Sequence, residues 1–159
     1  MELNKEFLGK LFEQAVANPR LRQNYDLRTS PADNSQRMLN ALLPGTVVPI
    51  HRHPNSTENV FLLCGKLVEV IYEEVNPLLS PLKKEEVFAF DRGMDATNVT
   101  NGRRFREVER IHLDPIVGNY GCVIPQGAWH TVEALEPSVI YEAKDGKYDE
   151  DGSETLGEK

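Results

Sequence analysis

The sequence has few cysteines and no long apolar run, and both absences exclude classes of protein. Only Cys64 and Cys122 occur among its 159 residues, which excludes a disulfide-stabilised scaffold. We interpret both as reduced thiols of a cytoplasmic protein, packed as small apolar residues. No apolar run approaches the ~20 residues of a membrane-spanning helix, and the amino end has no signal-peptide pattern.

Basic residues are also fewer than acidic ones. The chain has 18 Lys and Arg against 25 Asp and Glu, which gives a net charge of −7. A surplus of negative charge argues against a broad nucleic-acid footprint and against attraction to an anionic membrane. We therefore expect neither nucleic acid nor membrane as a partner. The length suits one domain with a substantial core.

What the chain does contain divides it into three parts. Residues 1–35 form a predicted helical arm and connection, 36–147 a β-rich domain, and 148–159 an acidic, flexible tail. Asn4 is placed to cap the helix and Asn18 to end it before a proline. Its predicted apolar stripe consists of Phe7, Leu8, Leu11, Phe12 and Val16.

The β-rich part contains nine short runs without an intervening helical pattern. Two of them, KLVEVIYEE and FREVERIHL, alternate clearly between apolar and polar residues. Such a texture indicates an antiparallel sandwich or barrel. An insert at about 75–104, which includes the run EVFAF, separates these two strands. It is either a surface insertion, used or not in oligomerisation, or a flap over the barrel mouth.

The segment GTVVPIHRHPNSTENVFLLCG places two histidines two positions apart. In a strand, residues two apart point to the same side, so His51 and His53 are expected to direct both imidazoles toward one point. Glu58 opens the next predicted strand, where it can lie beside its cross-strand neighbours. Taken alone, the pattern also fits exposed histidines and a turn cap. A later segment, PQGAWHTVEAL, adds His130 on another predicted strand.

Together the two segments resemble the motifs of the cupin superfamily. The first motif is matched at every position, and the second is matched at its proline, glycine and histidine. The second departs from the pattern twice, since Gly118 stands one residue too early for its leading glycine and Ala134 replaces its asparagine. The matching residues are Gly45, His51, His53, Glu58 and Gly65 in the first motif, and Pro125, Gly127 and His130 in the second.

The resemblance implies an all-β fold, a cupin-type double-stranded jelly-roll β-barrel with a short helical N-terminal arm. It also implies that His51, His53, Glu58 and His130 bind one divalent transition metal. Fe, Mn, Ni and Zn all suit a nitrogen and oxygen ligand set. With no cysteine in the motif, the site is expected to be open to a ligand, since structural metal sites are usually closed and rich in thiolate.

A closer resemblance extends over nearly the whole chain. The stretch NYDLRTSPADNSQRMLNALLPGTVVPIHRHPNSTE and the later YEAKDGKY resemble the WbuC family of cupin-fold metalloproteins. Members of that family often accompany genes for O-antigen or other surface polysaccharide synthesis. The resemblance implies a metal site and a carbohydrate context, but no particular reaction.

Some polar residues on the predicted strands are candidates for ligand binding or catalysis beside the metal. Arg37 is a candidate clamp for a carboxylate or phosphate, or else an exposed residue of an edge strand. Asn40, three positions later, is not expected to share its face. Glu142 and Lys144 share a face and form either a catalytic pair or a surface ion pair. His112 is expected to be no ligand, and Trp129 to face away from His130.

Three functions are compatible with these residues. The favoured one is a metal-dependent isomerase or epimerase of a small carbohydrate-related ligand, with the metal as Lewis acid. A non-haem iron dioxygenase uses the same ligands, and a non-catalytic sugar-binding module requires no turnover. The apolar stripe of the arm needs a surface to cover it, on its own chain or on a neighbour. We therefore expect a homodimer to which the arm contributes.

Overall fold

Two antiparallel sheets and one helix make up the part of the chain that the computed structural model describes, residues 1–75, 98–100, 103–146 and 152–156. The helix begins four residues from the amino end, and a short 3₁₀ turn, Pro115–Val117, precedes the eighth strand. The elements are α1 (Lys5–Ala17), β1 (Arg22–Asp26), β2 (Ser35–Leu42), β3 (His51–Arg52), β4 (Glu58–Cys64), β5 (Leu67–Val75), β6 (Asn98–Thr100), β7 (Arg103–Leu113), β8 (Gly121–Ile124), β9 (Trp129–Ala134), β10 (Ser138–Asp145) and β11 (Glu154–Thr155).

The strand order is that of a jelly roll. The first sheet has the order β1-β2-β10-β4-β8 and the second the order β11-β3-β9-β5-β7-β6. Each sheet therefore pairs strands that are far apart in sequence, such as β2 with β10, and the inner faces of the two sheets share one core. These features confirm the predicted all-β jelly roll with a helical arm. The core residues are Leu42, Val60, Leu62, Leu67, Leu113, Ile124, Val132 and Ile140.

Several strand boundaries differ from the prediction. β1 lies in the polar stretch that was expected to be a connection, and it pairs with β2 along its whole length. The long run around the two histidines contributes only His51–Arg52 to a sheet. The predicted strand EVFAF and residues 76–97 and 101–102 of the insert lie outside the described residues.

The amino-terminal helix packs on its own chain. Asn4 caps it by accepting a hydrogen bond from the backbone N–H of Phe7, at 3.0 Å. Leu11 and Ala15 are buried, whereas Val16 is 67% exposed, so the predicted stripe was wrong at that position. The helix covers the outer face of the first sheet at Leu39, Ala41 and Val139. The stripe thus needs no neighbouring subunit, and the homodimer stays a prediction.

The carboxyl-terminal segment 152–156, which we call the strap, is ordered against the second sheet. Glu154–Thr155 pairs with β3, and Arg52 forms an ion pair with Glu154 at 2.8 Å. Leu156 is buried against the outer-face cluster that contains Phe105. The predicted acidic, flexible tail at 148–159 therefore contains one short strand, Glu154–Thr155. The physical reason is that the edge of β3 offers unpaired backbone groups, which the strap satisfies.

Within these described ranges, no helix combines the length and the apolar character that crossing a bilayer requires.

Candidate metal centre

Four side chains that the sequence analysis singled out converge on one point between the sheets. One donor atom from each of His51, His53, Glu58 and His130 lies within 4.8 Å of the other three. The Nε2 atoms of His53 and His130 are each 3.2 Å from the Oε2 atom of Glu58. His53, Glu58 and His130 are all at most 5% exposed. A cluster that could hold a metal ion is therefore present.

The two sheets contribute different ligands to this cluster. His51 pairs with His130 across β3 and β9, so both imidazoles come from the second sheet. Glu58 begins β4 of the first sheet, where its neighbours are Ile124 and Lys144. Its cross-strand neighbours are therefore not the histidines, which lie in the other sheet. It faces them across the sandwich, so a bound metal would join the two sheets.

Hydrogen bonds behind the rings fix how the imidazoles point. The Nδ1 atom of His51 lies 3.0 Å from the carbonyl oxygen of Pro49, and that of His130 lies 3.0 Å from the carbonyl oxygen of Ala128. A carbonyl only accepts, so each Nδ1 carries the proton. In the neutral ring the Nε2 lone pair then faces the cluster. This arrangement is typical of metal-binding histidines.

The same geometry provides a test of whether a cation fits. A neutral His130 directs its Nε2 lone pair at a carboxylate oxygen of Glu58 only 3.2 Å away. Two lone pairs at that distance repel each other unless a proton or a cation lies between them. Three imidazole nitrogens and one carboxylate are suitable ligands for Fe, Mn, Ni and Zn. The donor set therefore fits a divalent transition metal.

Burial and neighbouring charge set the protonation of the cluster. Burial, with the adjacent His130, lowers the pKa of His51 to about 3, which favours the neutral ring that binds metals. Burial raises the pKa of Glu58, but hydrogen bonding with the His130 and His53 rings and the charge of Lys144 outweigh it. The pKa of Glu58 therefore lies well below its usual range, and the carboxylate is ionised.

The cluster lies in the wall of a cavity of about 520 Å³, a size typical of small-ligand pockets. Glu142 and Lys144 both line this cavity, and the Nζ atom of Lys144 is 3.0 Å from each ring nitrogen of His53. Asn40 also lines it and donates a hydrogen bond to Glu142 at 2.7 Å. The structure thus brings two of the three candidate catalytic residues, Glu142 and Lys144, to the cavity of the ligand cluster.

Arg37, the third candidate, does not belong to this cavity. It follows the inward-facing Gln36 on β2 and forms an ion pair with Asp33, at 2.5 Å, instead of lining the cavity. Alternate residues of a strand point to opposite faces, so Arg37 and Asn40 cannot both point inward. A role for Arg37 as a clamp on a ligand in this cavity is inconsistent with that position.

The remaining predicted positions agree with their expected surroundings. His112 is exposed on β7, away from the cluster. Trp129 faces away from the neighbouring His130 and packs at 5.1 Å, ring to ring, on Phe105. Cys64 and Cys122 are free thiols. Cys64 packs beneath the helix and Cys122 against the inner core, as small apolar residues do.

The sequence reasoning missed two polar residues of the cavity. Ser153 belongs to the strap, and its hydroxyl is 2.8 Å from the Nδ1 atom of His53. No local pattern points to this contact, because 100 residues separate the two partners. Glu69 lies on β5 between Leu67 and Ile71, two apolar residues of the same face. An acidic residue on an apolar face was a signal that could have identified it.

The contact with Ser153 leads to a testable expectation. Replacing Ser153 with alanine should weaken metal binding by about tenfold, since partners that orient a ligating histidine typically contribute 10- to 100-fold. A competition titration against a fluorescent chelator measures the change. Glu154→Gln is the matched control, because it removes the Arg52 ion pair of the same strap and leaves the serine in place. Equal weakening in both variants would contradict a specific role for Ser153.

Comparison of the amino-acid sequence with known proteins finds two partial similarities. A family model described as a domain of unknown function, DUF6016, matches residues 3–80. The chain is also 43% identical over 60 residues to the germin-like protein subfamily 2 member 1 of Arabidopsis thaliana. That alignment covers 37% of this chain and 27% of the relative, so the chain corresponds to a minor part of the relative's length.

Two solved structures align with most of this chain at low sequence identity. KdgF from a Halomonas species aligns with a TM-score of 0.48 and 16% identity, over 80% of this chain and 81% of its own. The cupin domain of Cnp3 from Schizosaccharomyces pombe aligns with a TM-score of 0.48 and 8% identity, over 79% of this chain and 65% of its own. The WbuC-like resemblance stays a prediction from the sequence.

Proposed function

We propose that this chain is a mononuclear divalent-metal enzyme that moves a proton on a small carbohydrate-related ligand, as isomerases and epimerases do. The observation that carries the proposal is one cavity that contains both the ligand cluster and the half-buried carboxyl group of Glu142. A role in surface polysaccharide (O-antigen) synthesis is the narrower form of the proposal. Only the WbuC-like resemblance supports that narrower form.

The four ligands would hold the metal, and the cavity would hold the substrate beside it. When bound, a divalent metal polarises a carbonyl or hydroxyl oxygen and so acidifies the neighbouring C–H or O–H group. His51, His53 and His130 contribute no charge when neutral, and Glu58 contributes one negative charge. The ligand set thus leaves net positive charge at the metal, which favours oxygen-rich and anionic ligands.

Glu142 is the residue placed to exchange a proton. Burial, together with the charge of Glu58, raises its pKa to about 8, while Lys144 and the hydrogen bond from Asn40 oppose the shift. A group with a pKa near the working pH can both accept and return a proton efficiently. Lys144 on the same strand offers an ammonium group to an anionic ligand or to a developing alkoxide.

Solvent-isotope exchange tests this proposal. The purified chain, without a His tag, is loaded separately with Fe²⁺, Mn²⁺, Ni²⁺ or Zn²⁺ and incubated in D₂O with sugar phosphates and nucleotide sugars. We expect deuterium to enter a carbon-bound position of one of these compounds only when metal is present. Glu142→Gln should reduce that exchange by at least about 100-fold, the usual lower bound for general acid–base catalysis. Metal content should remain unchanged in that variant.

The other two functions predict different outcomes of the same experiment. Oxygen consumption that occurs only with Fe²⁺ would indicate a dioxygenase. Reversible ligand binding without isotope exchange, with any metal, would indicate a binding module. Either result would contradict the proposed enzyme.

A homodimer and a cytoplasmic location complete the proposal. The outer face of the first sheet exposes large apolar side chains near its β8 edge, where Phe61 is 50% and Val123 is 59% exposed. An exposed apolar edge of this kind supports pairing with a second copy. Light scattering on the full chain tests the dimer, and a monomer at micromolar concentration would rule it out. The two free thiols agree with a reducing compartment.

A further inference from the structure

Glu69 is a buried carboxyl group that the proposed proton transfer does not use. It lies on β5 of the second sheet, lines the same cavity as the ligand cluster, and is only 2% exposed. Its neighbours on the same face, Leu67 and Ile71, are part of or packed against the apolar core. A carboxyl group at such a position costs free energy unless something compensates for its burial.

No protein group compensates for the burial of Glu69 among the residues that the structure describes. None of the hydrogen bonds or ion pairs found there involves its carboxyl group. Burial, followed by the charges of Glu142 and Glu58, raises its pKa well above the usual range. Buried polar side chains in folded proteins are nearly always satisfied. An unsatisfied one that borders a cavity is therefore expected to contact whatever fills that cavity.

The opposite wall of the cavity carries a similar group. Glu142 comes from β10 of the first sheet and receives its hydrogen bond from Asn40 of β2, so two carboxyl groups border one cavity from facing sheets. The ligand cluster borders the same space. A ligand that binds the metal at one end would therefore have carboxyl and amide groups beside the rest of its length.

The charges of the cavity indicate which ligand groups suit Glu69. Lys144 and a divalent metal are both positive, so a cationic ligand would be repelled. A protonated carboxyl group donates one hydrogen bond and accepts another, and a hydroxyl group does the same. Hydroxyl groups therefore match Glu69, whereas an apolar tail would leave it unsatisfied.

We propose that Glu69 is a specificity-determining residue that binds hydroxyl groups of the ligand beyond those that contact the metal. The inference rests on the proposed function, because it assumes a ligand that binds the metal at one end. It defines the ligand class more narrowly, as a polyhydroxylated chain or ring that carries a metal-chelating head group. Simple hydroxy acids with short apolar tails would bind through the head alone.

Two hydroxy acids with the same chelating head test this inference. Lactate ends in a methyl group, whereas gluconate continues into a chain of four further carbons that bear hydroxyls. The Mn²⁺-loaded protein is titrated with each acid, and displacement of metal-bound water is followed by water-proton relaxation. We expect gluconate to bind at least about fivefold more tightly than lactate, the value of one or two well-formed hydrogen bonds.

Two variants test whether the carboxyl group of Glu69 causes this preference for gluconate. The leucine side chain of Glu69→Leu cannot form hydrogen bonds but suits the apolar face of β5. This variant should therefore bind gluconate and lactate about equally. Its lactate affinity and its Mn²⁺ stoichiometry should remain those of the unmodified chain. Glu69→Gln keeps a donor and an acceptor, and it should retain most of the preference.

The remaining outcomes contradict either the role of Glu69 or the proposed function. Equal binding of both acids by the unmodified chain would overturn the inference, as would a preference that survives Glu69→Leu. Loss of the preference in Glu69→Gln as well would assign Glu69 a packing role and also overturn the inference. If neither acid displaces water from the bound Mn²⁺, the proposed function fails and the inference fails with it.

Discussion

Replacing His51 and His53 together with alanine is expected to abolish divalent-metal binding. The double variant removes two of the three ring nitrogens that converge on Glu58, and one imidazole with one carboxylate is a weak site. We expect affinity to fall by more than about 100-fold, beyond the 10- to 100-fold effects of residues that only orient ligands. The metal-to-protein ratio after dialysis against Zn²⁺, measured by mass spectrometry of the elements, checks this expectation.

The matched control for this variant is His112→Ala. His112 has the same ring chemistry but is exposed on β7, away from the cluster, so its loss should leave the metal content unchanged. If His112→Ala empties the site, or if the double variant keeps its metal, the ligand assignment is wrong. Circular dichroism of each variant distinguishes loss of ligands from loss of fold.

Gly65→Ala should produce the largest loss of stability among the single substitutions considered. Gly65 begins the two-residue connection from β4 to β5 and has a φ of +91°. A Cβ atom there would lie less than 3.0 Å from the Pro137 carbonyl oxygen and from two atoms of Ser138. The left-handed backbone costs alanine about 1–2 kcal/mol, and the overlap adds about 1–3 kcal/mol. We expect the free energy of unfolding to fall by about 3 kcal/mol or more.

Gly118→Ala separates the two contributions. Gly118 has almost the same φ, +92°, but a Cβ atom there would meet nothing within 4 Å. Its replacement should therefore lower the free energy of unfolding only by the backbone cost of about 1–2 kcal/mol. Urea denaturation followed by circular dichroism measures both variants. Equal losses in the two would show that the contacts of Gly65 contribute nothing.

The first motif contains Gly65 and Glu58, but the sequence does not show the physical reason for either residue. The motif contains Gly65, but only the fold shows that the carbonyl of Pro137 and the hydroxyl of Ser138, more than 70 positions later, leave no room for a side chain. The spacing of the first motif likewise indicated Glu58. The structure shows that Glu58 comes from the sheet opposite the histidines and not from their neighbouring strand.

Local features were predictable where local interactions decide the structure. The cap at Asn4, the end of the helix and the alternation of β5 all depend on residues a few positions apart. Strands β1 and β11 were not predictable, because their own residues are mostly polar. Each exists because a neighbouring strand presents unpaired backbone groups to it. Such pairing depends on register with a distant segment, which no short window of sequence contains.

The strand texture of the sequence by itself therefore indicated an antiparallel β fold, and its resemblance to the cupin motifs implied the jelly roll and the four metal-ligand candidates. Only the tertiary structure decided which other polar residues line the cavity of the ligand cluster. It excluded Arg37, brought Glu142 and Lys144 to the cavity, and added Glu69 and Ser153. The physical reason is that a strand has two faces, and packing of the whole sandwich selects the face that becomes interior.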